Sequence, residues 1–352
     1  MPPLVRRADD TDRPAWDAFV ASRPEADLLQ AWGWGECTAL ADEPPIRLLL
    51  EDHQQIRGVA QALMRPAGFG RKVAYVPHGP TWDREAPDAD KLFAWLLQGL
   101  RTLARKEKAI VVKLDPRAEP GDETNLAKLA ENHKLRPAPD LQAPTTRVVD
   151  LLDGGEQLEA SWHADARRLM RRAEREGTQV TISREPDPAE IEILHDLLEK
   201  AADRADFRVR SQEFLTRLAT EFASTRGWYL GIARVDGTPI ATMAFPRVGD
   251  RAYYLYGALL RDDRYKHNYG SHAVMAAMLK ALQTDGARAV DMWGVVEPDD
   301  DQADPSWKGF SDFKRTFGGE PLRHPGVYDL VTDPFWYRVR AIRERILRRS
   351  PT

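Results

Sequence analysis

The order of apolar and polar positions predicts one set of elements that occurs twice along the chain. In the first half, periodicity predicts a helix at residues 11–22, strands at 46–51, 56–64 and 73–76, a helix at 89–106 and a strand at 109–114. In the second half it predicts helices at 187–204 and 211–225, strands at 228–235, 240–247 and 252–259, a helix at 270–284 and a strand at 289–293. Gly79 and Gly257 are as far apart as Ala109 and Ala287, so we interpret the halves as two copies of one α/β unit.

The repeated unit has the element order of an acetyltransferase-like (GNAT-like) domain. We therefore predict an α/β fold of two tandem GNAT-like domains, each with a mixed, mainly antiparallel sheet flanked by helices. A Pro-rich stretch at 136–144 and a strand at 146–150, which we expect to close the first sheet, place the boundary near Gly154. The predicted domains are 1–153, completed by C-terminal residues from about 320, then 154–320, with 321–352 as an extension that contains a basic helix.

Residues 158–176 are predicted to form one helix with an apolar face and a basic face, ended by Gly177. The basic face carries Arg168, Arg171, Arg172 and Arg175. Two interpretations stay open for these arginines. They form a surface for the phosphates of a tRNA or a nucleotide, or they form a solvated face paired with nearby acidic side chains.

The C-terminal segment 335–349 is a second basic stretch, with six arginines against Glu344 alone. A helix of this composition suits contact with RNA or with an anionic membrane surface. The whole chain has a net charge of -4, so any polyanion must be met by such local patches.

Composition argues against several kinds of chemistry. Cys37 is the only cysteine, which excludes an intramolecular disulfide and a zinc site built on several thiolates. The eight histidines show no metal-ligand spacing, and the acidic run from Glu297 to Asp304 does not follow an EF-hand loop. We expect no metal and no cofactor.

The N-terminus has no apolar signal region, and no stretch approaches the roughly 20 apolar residues that cross a bilayer. We expect a cytoplasmic protein, with peripheral contact to the inner membrane surface as a hypothesis.

Four separated stretches carry a family resemblance, and together they cover most of the chain. They are Gln30-Ala-Trp-Gly-Trp-Gly-Glu36, then Tyr75-Val-Pro-His-Gly-Pro-Thr-Trp-Asp83, then Leu169 to Gly177 with Arg204 to Arg210, and Trp293 to Pro298 with Gly309-Phe-Ser-Asp-Phe-Lys-Arg-Thr-Phe-Gly318. These stretches resemble the Fem family (FemABX) of peptidoglycan-bridge aminoacyltransferases. Thr38 and His78 depart from the family pattern, which has lysine and arginine there. Only short helices are predicted where some members carry a long coiled-coil arm.

The resemblance implies transfer of an amino acid from aminoacyl-tRNA to the stem-peptide amine of a UDP-linked or lipid-linked muramyl-peptide precursor. Aminoacyl-tRNA is then a co-substrate, and no stable protein partner is expected. Carried over as catalytic are Lys314, to steady a tRNA phosphate or the developing oxyanion, and Asp83, to orient the attacking amine or accept its proton. Carried over as substrate-binding are Trp34, Tyr75, His78, Arg204, Arg210, Tyr254, Tyr256, Trp293 and Glu297. The residues predicted to bind tRNA are Arg168, Arg171, Arg172, Arg175 and Arg315.

For several of these residues a simpler interpretation stays open. Lys314 is alternatively a surface lysine beside Arg315, and Tyr254 and Tyr256, expected on one face of one strand, are alternatively packing residues.

Three rival functions also remain. An acyl-CoA N-acyltransferase would use the segment from Lys266 to Ser271, which precedes a helix N-terminus. A non-catalytic RNA-binding module would use the two basic helices. The third rival keeps the aminoacyl-tRNA donor and changes the acceptor to a protein N-terminus or a lipid headgroup.

Overall fold

The computed structural model describes residues 3–25, 27–151, 155–205, 208–298 and 305–347. The strands are β1 Leu4–Arg7, β2 Pro45–Asp52, β3 Gln55–Gly68, β4 Arg71–Val76, β5 Thr81–Trp82, β6 Ala109–Leu114, β7 Arg136–Ala138, β8 Thr145–Asp150, β9 Gln179–Ser183, β10 Leu230–Val235, β11 Thr238–Ala244, β12 Arg247–Val248, β13 Arg251–Tyr253, β14 Tyr256–Leu259, β15 Ala289–Gly294, β16 Glu320–Arg323 and β17 Val327–Val331. The helices are α1 Arg13–Ala21, α2 Trp32–Ala39, α3 Ala89–Lys106, α4 Glu123–Asn132, α5 Gly155–Ser161, α6 Ala164–Arg175, α7 Pro188–Ala205, α8 Gln212–Ala223, α9 Gly270–Thr284, α10 Lys308–Arg315 and α11 Pro334–Leu347. In the described part of the chain, no helix has the length and apolar character needed to span a bilayer.

The chain forms two compact units, one of residues 1–141 with 324–352 and one of residues 142–323. In the first unit, one sheet has the order β1-β2-β3-β4-β6-β17-β7, with β5 pairing on β3. The pair β4 and β6 is parallel, and the other pairs are antiparallel. The tight β2–β3 hairpin turns at His53 and Gln54, which both have positive φ, as such turns require.

Helix α3 covers one face of this sheet because its apolar residues recur every three to four positions. Its buried face consists of Leu92, Phe93, Leu96, Leu97, Leu100, Leu103 and Ala104. These side chains join the core under β2, β3, β4 and β6. The sequence prediction for α3 and β6 is confirmed at the same residue bounds.

Two glutamines fasten the segment before α2 to the middle of β3. The Gln61 amide donates to the carbonyls of Leu29 and Ala31 at 3.1 and 3.0 Å, and its Oε1 accepts from Arg47 Nε at 2.8 Å. The Gln30 amide donates to Pro77 O at 2.7 Å and accepts from Gln61 N at 2.9 Å. Both side chains are fully buried, so each polar atom needs these partners.

The second unit contains two sheets instead of one, with orders β14-β11-β10-β9 and β12-β13-β15-β8-β16. The single strands predicted at 240–247 and 252–259 are wrong, because each is divided between the two sheets. Pro246 separates β11 from β12, and proline has no N–H to give to a ladder. Opposite it the backbone changes partner within two residues: Tyr254 N donates to Asp291 O, and Leu255 N donates to Ala244 O.

Two other predicted elements differ from the structure. The strand at 146–150 does not close the first sheet, since β8 lies between β15 and β16 in the second unit. The helix predicted at 158–176 is two helices, α5 and α6, because the chain breaks at Trp162 and His163 caps α6 by accepting from Asp165 N. The stop at Gly177 is confirmed, with a φ of 78°.

We predict that Gln61→Leu lowers the free energy of unfolding by about 3 kcal/mol, because the Leu29 and Ala31 carbonyls and Arg47 Nε each lose a buried hydrogen bond. Chemical denaturation followed by tryptophan fluorescence measures this change. Gln98→Leu, on the exposed side of α3, is the matched control and should change stability by less than about 0.5 kcal/mol. Equal effects at both positions would contradict the role given to the buried amide.

Candidate functional site

The second unit opens at the carboxyl ends of its parallel strands β13 and β15. The two strands pair from Arg251 with Ala289 to Tyr253 with Asp291. Beyond that point β14 pairs with β11, while β15 continues beside β8. Diverging carboxyl ends of parallel strands are a common place for a ligand site in α/β proteins.

Lys314 of helix α10 places its amine at this divergence. Its Nζ donates to the carbonyl of Gly294, the last residue of β15, at 2.8 Å. The same atom lies 5.3 Å from the ring centre of Tyr254 and 4.8 Å from that of Phe310. Lys314 is only 6% exposed, so the alternative of a surface lysine beside Arg315 is wrong.

Burial lowers the pKa of the Lys314 amine to about 7, although the buried carboxylate of Asp291 acts in the opposite direction. Asp291 is itself held in place, because its Oδ1 accepts from Thr146 Oγ1 and from Trp293 N at 2.7 Å. An amine with a pKa near neutrality exchanges a proton readily at physiological pH. This is the property expected of a catalytic lysine.

The Tyr254 and Phe310 rings also line a cavity of about 840 Å³. Its wall is formed by β14 and the turn after it, by the start of α9, and by α10. The lining residues are Ala201, Tyr254, Gly257, Ala258, Leu259, Leu260, Arg261, Asp262, Asp263, Tyr265, Lys266, Tyr269, Ser271, His272, Gly309, Phe310 and Phe313. A mostly apolar pocket with a few polar groups is typical of a ligand site.

Charge is concentrated at the rim of this cavity. Arg261 and Lys266 are exposed, and the N-terminus of α9 adds the positive end of a helix dipole beside Ser271. Inside, burial lowers the pKa of His272 to about 4, so its imidazole is neutral at physiological pH. Asp262 and Asp263 also line the rim, so it carries both signs of charge, while the interior favours an uncharged group.

The four basic-face residues of α6 take different positions. Arg172 reaches the cavity, since its Nη1 lies 3.3 Å from the hydroxyl of Tyr269. Arg168 pairs with Asp165 at 2.8 Å, and Arg171 pairs with Glu159 at 3.5 Å; both arginines are more than 60% exposed. Arg175 is also exposed. The structure joins one of the four to the cavity and leaves the others on the surface.

Tyr254 and Tyr256 do not share a strand face, because the strand expected to hold both is interrupted between them. Tyr254 stacks on Phe245, with ring centres 5.1 Å apart. Gly257 is needed beside it, since a Cβ at that position would overlap the Tyr254 hydroxyl. Tyr256 lies in β14 and is half-buried.

The candidate residues at the end of β15 and after it have contacts within the unit. Trp293 is half-buried and lies edge-on to Tyr253. Glu297 lies 3.5 Å from Arg147. Arg315, assigned to tRNA from the sequence, instead donates to the carbonyl of Val296 at 2.7 Å and pairs with Asp312.

Two other candidates belong to the region between α7 and α8. Arg210 is exposed and its guanidinium lies 4.9 Å from the ring centre of Phe214. The side chain of Arg204 lies outside the described part of the structure.

In the first unit, Asp83 is partly exposed and has two guanidinium partners. Its carboxylate lies 3.0 Å from Arg23 and 3.3 Å from Arg57. These partners already compensate the charge that was expected to attract a substrate ammonium. Asp83 belongs to the first unit and Lys314 to the second.

Tyr75 and His78, which the sequence assigned to substrate binding, belong to a buried ionic cluster. His78 lies 2.9 Å from Asp27, which also pairs with Arg117, and the Tyr75 hydroxyl donates to Asp115 at 2.8 Å. All five side chains are at most 5% exposed. Burial opposes both charges of the central pair, yet mutual attraction holds the pKa of His78 above its usual value and that of Asp27 below it.

This cluster occupies the place in the first unit that the cavity occupies in the second. His78 follows β4 and Asp115 follows β6, which are the parallel strands of that sheet. Trp34 is likewise only 8% exposed within α2, and a Cβ at Gly35 would overlap the Gln61 and Arg47 side chains. Within its own unit, the stretch that begins at Gln30 therefore acts as packing.

One group of side chains in the described residues has metal-like spacing. His195, Asp196 and Glu199 of α7 have ligand atoms within 4.8 Å of one another, but the two acids are exposed and all three lie on one helix. Of the acidic run considered earlier, Asp299, Asp300, Asp301 and Asp304 fall outside the described ranges.

Sequence reasoning missed most of the cavity wall, including His272, Tyr269 and Phe313. One signal was present, because the segment from Lys266 to Ser271 was noted as a loop before a helix N-terminus, although for a different donor. The order of apolar and polar positions did not show that the chain would pair with β15 through β13 and then with β11 through β14.

Comparisons with known proteins cover most of the chain. A family model of the acetyltransferase (GNAT) domain matches residues 160–315. A Lipid II:glycine glycyltransferase of Staphylococcus saprophyticus subsp. saprophyticus is 25% identical, with 95% of each chain covered. The solved structure of FemX superposes with a TM-score of 0.84 at 18% identity, covering 96% of this chain and 99% of that one.

Over nearly its whole length the chain is similar in sequence to Lipid II:glycine glycyltransferases, and it has the fold of FemX. A tandem GNAT protein from the clavulanic acid biosynthesis pathway shares the architecture at a TM-score of 0.55 and 16% identity, over 94% of this chain and 99% of that one. The prediction of two tandem GNAT-like domains is confirmed. Between β9 and β10 the described residues form only α7 and α8, and no long helical arm is present among them.

We predict that the stability of this protein depends on pH through Lys314. Between about pH 7 and the ordinary lysine value of 10.5, the unfolded chain binds a proton that the buried amine does not. The free energy of unfolding therefore rises with pH in this window relative to Lys314→Met, by up to about 1.4 kcal/mol per pH unit. Below about pH 7 the difference between the two proteins is constant.

Urea denaturation of both proteins at several pH values from 6 to 9 measures this difference. A difference that does not change with pH would mean that the amine keeps its ordinary pKa and is solvated.

Proposed function

We propose that this protein transfers an amino acid from aminoacyl-tRNA to the stem-peptide amine of a lipid-linked muramyl-peptide precursor, and so builds an interpeptide bridge. The observation that carries the proposal is the buried Lys314 amine, with a pKa of about 7, at the opening of the second sheet. The name of the staphylococcal relatives, Lipid II:glycine glycyltransferase, supports the lipid-linked acceptor and the transferase activity.

In the proposed reaction the acceptor amine attacks the ester carbonyl of the aminoacyl group. A C–N bond forms, the ester C–O bond breaks, and the terminal ribose oxygen of the tRNA leaves with a proton. An aminoacyl ester is more reactive than the amide formed, so no further energy source is needed. The protein supplies position and charge stabilisation.

Lys314 is proposed to act in its protonated form. The ammonium stabilises the oxyanion of the tetrahedral intermediate and gives a proton to the departing ribose oxygen. A pKa near 7 suits this second step, because the amine loses its proton easily and regains it from water. The Gly294 carbonyl fixes the direction of the amine at the end of β15.

The cavity beside Lys314 is proposed to hold the end of the donor. Its apolar wall suits the aminoacyl group and a base, with Tyr254 and Phe310 as flat surfaces for stacking. Arg172, Arg261 and Lys266 at the rim suit the adjoining phosphates. No step of this chemistry requires a metal or a cofactor.

We further propose that the protein works at the cytoplasmic face of the membrane, where a lipid-linked precursor is accessible. The described residues contain no helix that could span a bilayer, so this contact is peripheral.

A second candidate is acyl transfer from an acyl-CoA. It is favoured by the N-terminus of α9 at the cavity rim, which suits a pyrophosphate, and by the match to the acetyltransferase (GNAT) domain. Acetyl-CoA is therefore the control donor in the test.

The test measures transfer of radiolabelled amino acids from a charged tRNA pool to purified lipid-linked precursor. We predict that wild type transfers label and that Lys314→Ala lowers the rate by about 10²–10³-fold, since it removes the charge at the reacting centre. Lys308→Ala is the matched control, because Lys308 lies on the same helix, is 73% exposed and pairs with Asp312 at 2.7 Å. That variant should keep the wild-type rate.

Transfer from acetyl-CoA alone would overturn the proposal in favour of the acyltransferase. Loss of activity in both lysine variants would show that the effect of Lys314→Ala is not specific to the buried amine.

A further inference from the structure

One end of the first sheet gathers three chain segments. The β3–β4 hairpin turns there through Gly68, Phe69 and Gly70, which all have positive φ. Helix α3 ends at the same place, since Lys72 N donates to Lys108 O just before β6 begins. Helix α11 also starts there, because the N–H groups of Thr332 and Asp333 both donate to the Ile110 carbonyl in β6.

Large apolar side chains at this end face solvent. Phe69 is 78% exposed and Phe335 is 68% exposed, the two highest values among the large apolar residues described. Both contact Trp336, with ring centres 5.7 and 5.6 Å from it. Ile342 on α11 is 59% exposed. Soluble proteins rarely leave a group of such side chains uncovered without an interaction to serve.

Helix α11 carries its exposed apolar residues on one side. Trp336 and Tyr337 pack on the sheet beside Val73, Ile110 and Val111. At about 100° per residue, positions 335, 338 and 342 fall on the opposite side of the helix. The outer face of α11 therefore combines Phe335, Arg338 and Ile342.

Basic side chains surround the aromatic group. The exposed ones are Arg105, Lys106, Lys108 and Arg338. Two more are partly exposed and neutralise the nearby acids, since Arg71 pairs with Asp333 at 3.6 Å and Lys72 pairs with Glu107 at 3.1 Å. The exposed cations therefore leave a local excess of positive charge, although the whole chain is acidic.

We propose that this end of the first unit is a membrane-binding surface. Phe69 at the hairpin tip and Phe335 with Ile342 on α11 enter the interfacial layer of a bilayer, and the surrounding lysines and arginines contact anionic lipid headgroups. Apolar side chains inserted among basic ones are the usual composition of a peripheral membrane contact. We name this set of residues, with Trp336 beneath it, the hairpin patch.

An RNA partner fits the patch less well. Basic residues alone would suit RNA, and aromatic rings can stack on bases. Ile342 and Phe69, however, expose apolar surface that cannot hydrogen-bond to the edge of a base. A bilayer buries such surface, and the free energy gained is proportional to the area buried. The hairpin patch deepens the proposed function, because a protein held at the membrane meets a lipid-linked acceptor in its own plane.

The test is co-sedimentation of the full chain with vesicles of phosphatidylcholine, with and without about a third phosphatidylglycerol. We expect binding to the anionic vesicles that weakens as salt rises, because the headgroup contacts are screened. Phe69→Ser with Phe335→Ser should lower the partition coefficient at least about tenfold, since two inserted aromatic side chains are lost.

Leu4→Ser is the matched control. Leu4 is 57% exposed in the same unit and pairs opposite Glu51, near the β2–β3 turn, at the other end of β3 from Phe69. Its loss should leave vesicle binding unchanged. Circular dichroism of all variants checks that the fold is retained.

Absence of vesicle binding by the wild type, or equal binding by the double variant, would overturn the proposal. Loss of tRNA binding without loss of vesicle binding would assign the patch to RNA. Transfer to a water-soluble muramyl peptide separates the two proposals. The double variant should keep that activity, and failure of the wild type to show any transfer would count against the proposed function and not against the surface.

Discussion

The candidate site depends on one point in the backbone where the chain changes its hydrogen-bonding partner from one strand to another. At Tyr254 the backbone still donates to β15, and at Leu255 it donates to β11. The following strand leaves β15, so the parallel pair opens at its carboxyl end. Lys314 of α10 lies at this opening, and the Tyr254 and Phe310 rings near its amine line the cavity. The low pKa of the lysine follows from this position, because the surrounding rings exclude water and Asp291 compensates only part of the cost.

The two units differ at the carboxyl ends of their parallel strands. In the first unit the equivalent end of the parallel pair is closed by buried ion pairs around Asp27, which lies 2.9 Å from His78. A buried ion pair is costly to separate, so this region is suited to a fixed structure. At the corresponding place the second unit has the buried Lys314 amine and a cavity. Because the two units differ in this way, we propose the chemistry for the second unit and a membrane contact for the first.

Much of the fold follows from periodicity, and the failures have identifiable causes. Helices α3 and α9 and strand β6 were predicted at their observed bounds, because their apolar spacing is regular and their ends are marked. The strand that holds Tyr254 was predicted as continuous, because an alternating pattern does not show which neighbour each residue pairs with. The same limit misplaced β8, whose apolar residues suit either sheet.

The candidate site was only partly predictable. Lys314 was identified from a family motif, but its burial depends on residues from β15, from Tyr254 and from its own helix, which are distant in sequence. Tyr75 and His78 also stand in a family motif, and the structure gives them buried partners that no local pattern indicates.

The central claim is that the Lys314 amine is desolvated enough to titrate near neutrality. The most direct test is an NMR titration of the protein with ¹³C-labelled lysine side chains, with Lys314→Met used to assign the signal. The account predicts one lysine resonance with a midpoint near pH 7 that is missing from the variant. A spectrum of the wild type without a resonance that titrates near pH 7 would contradict it.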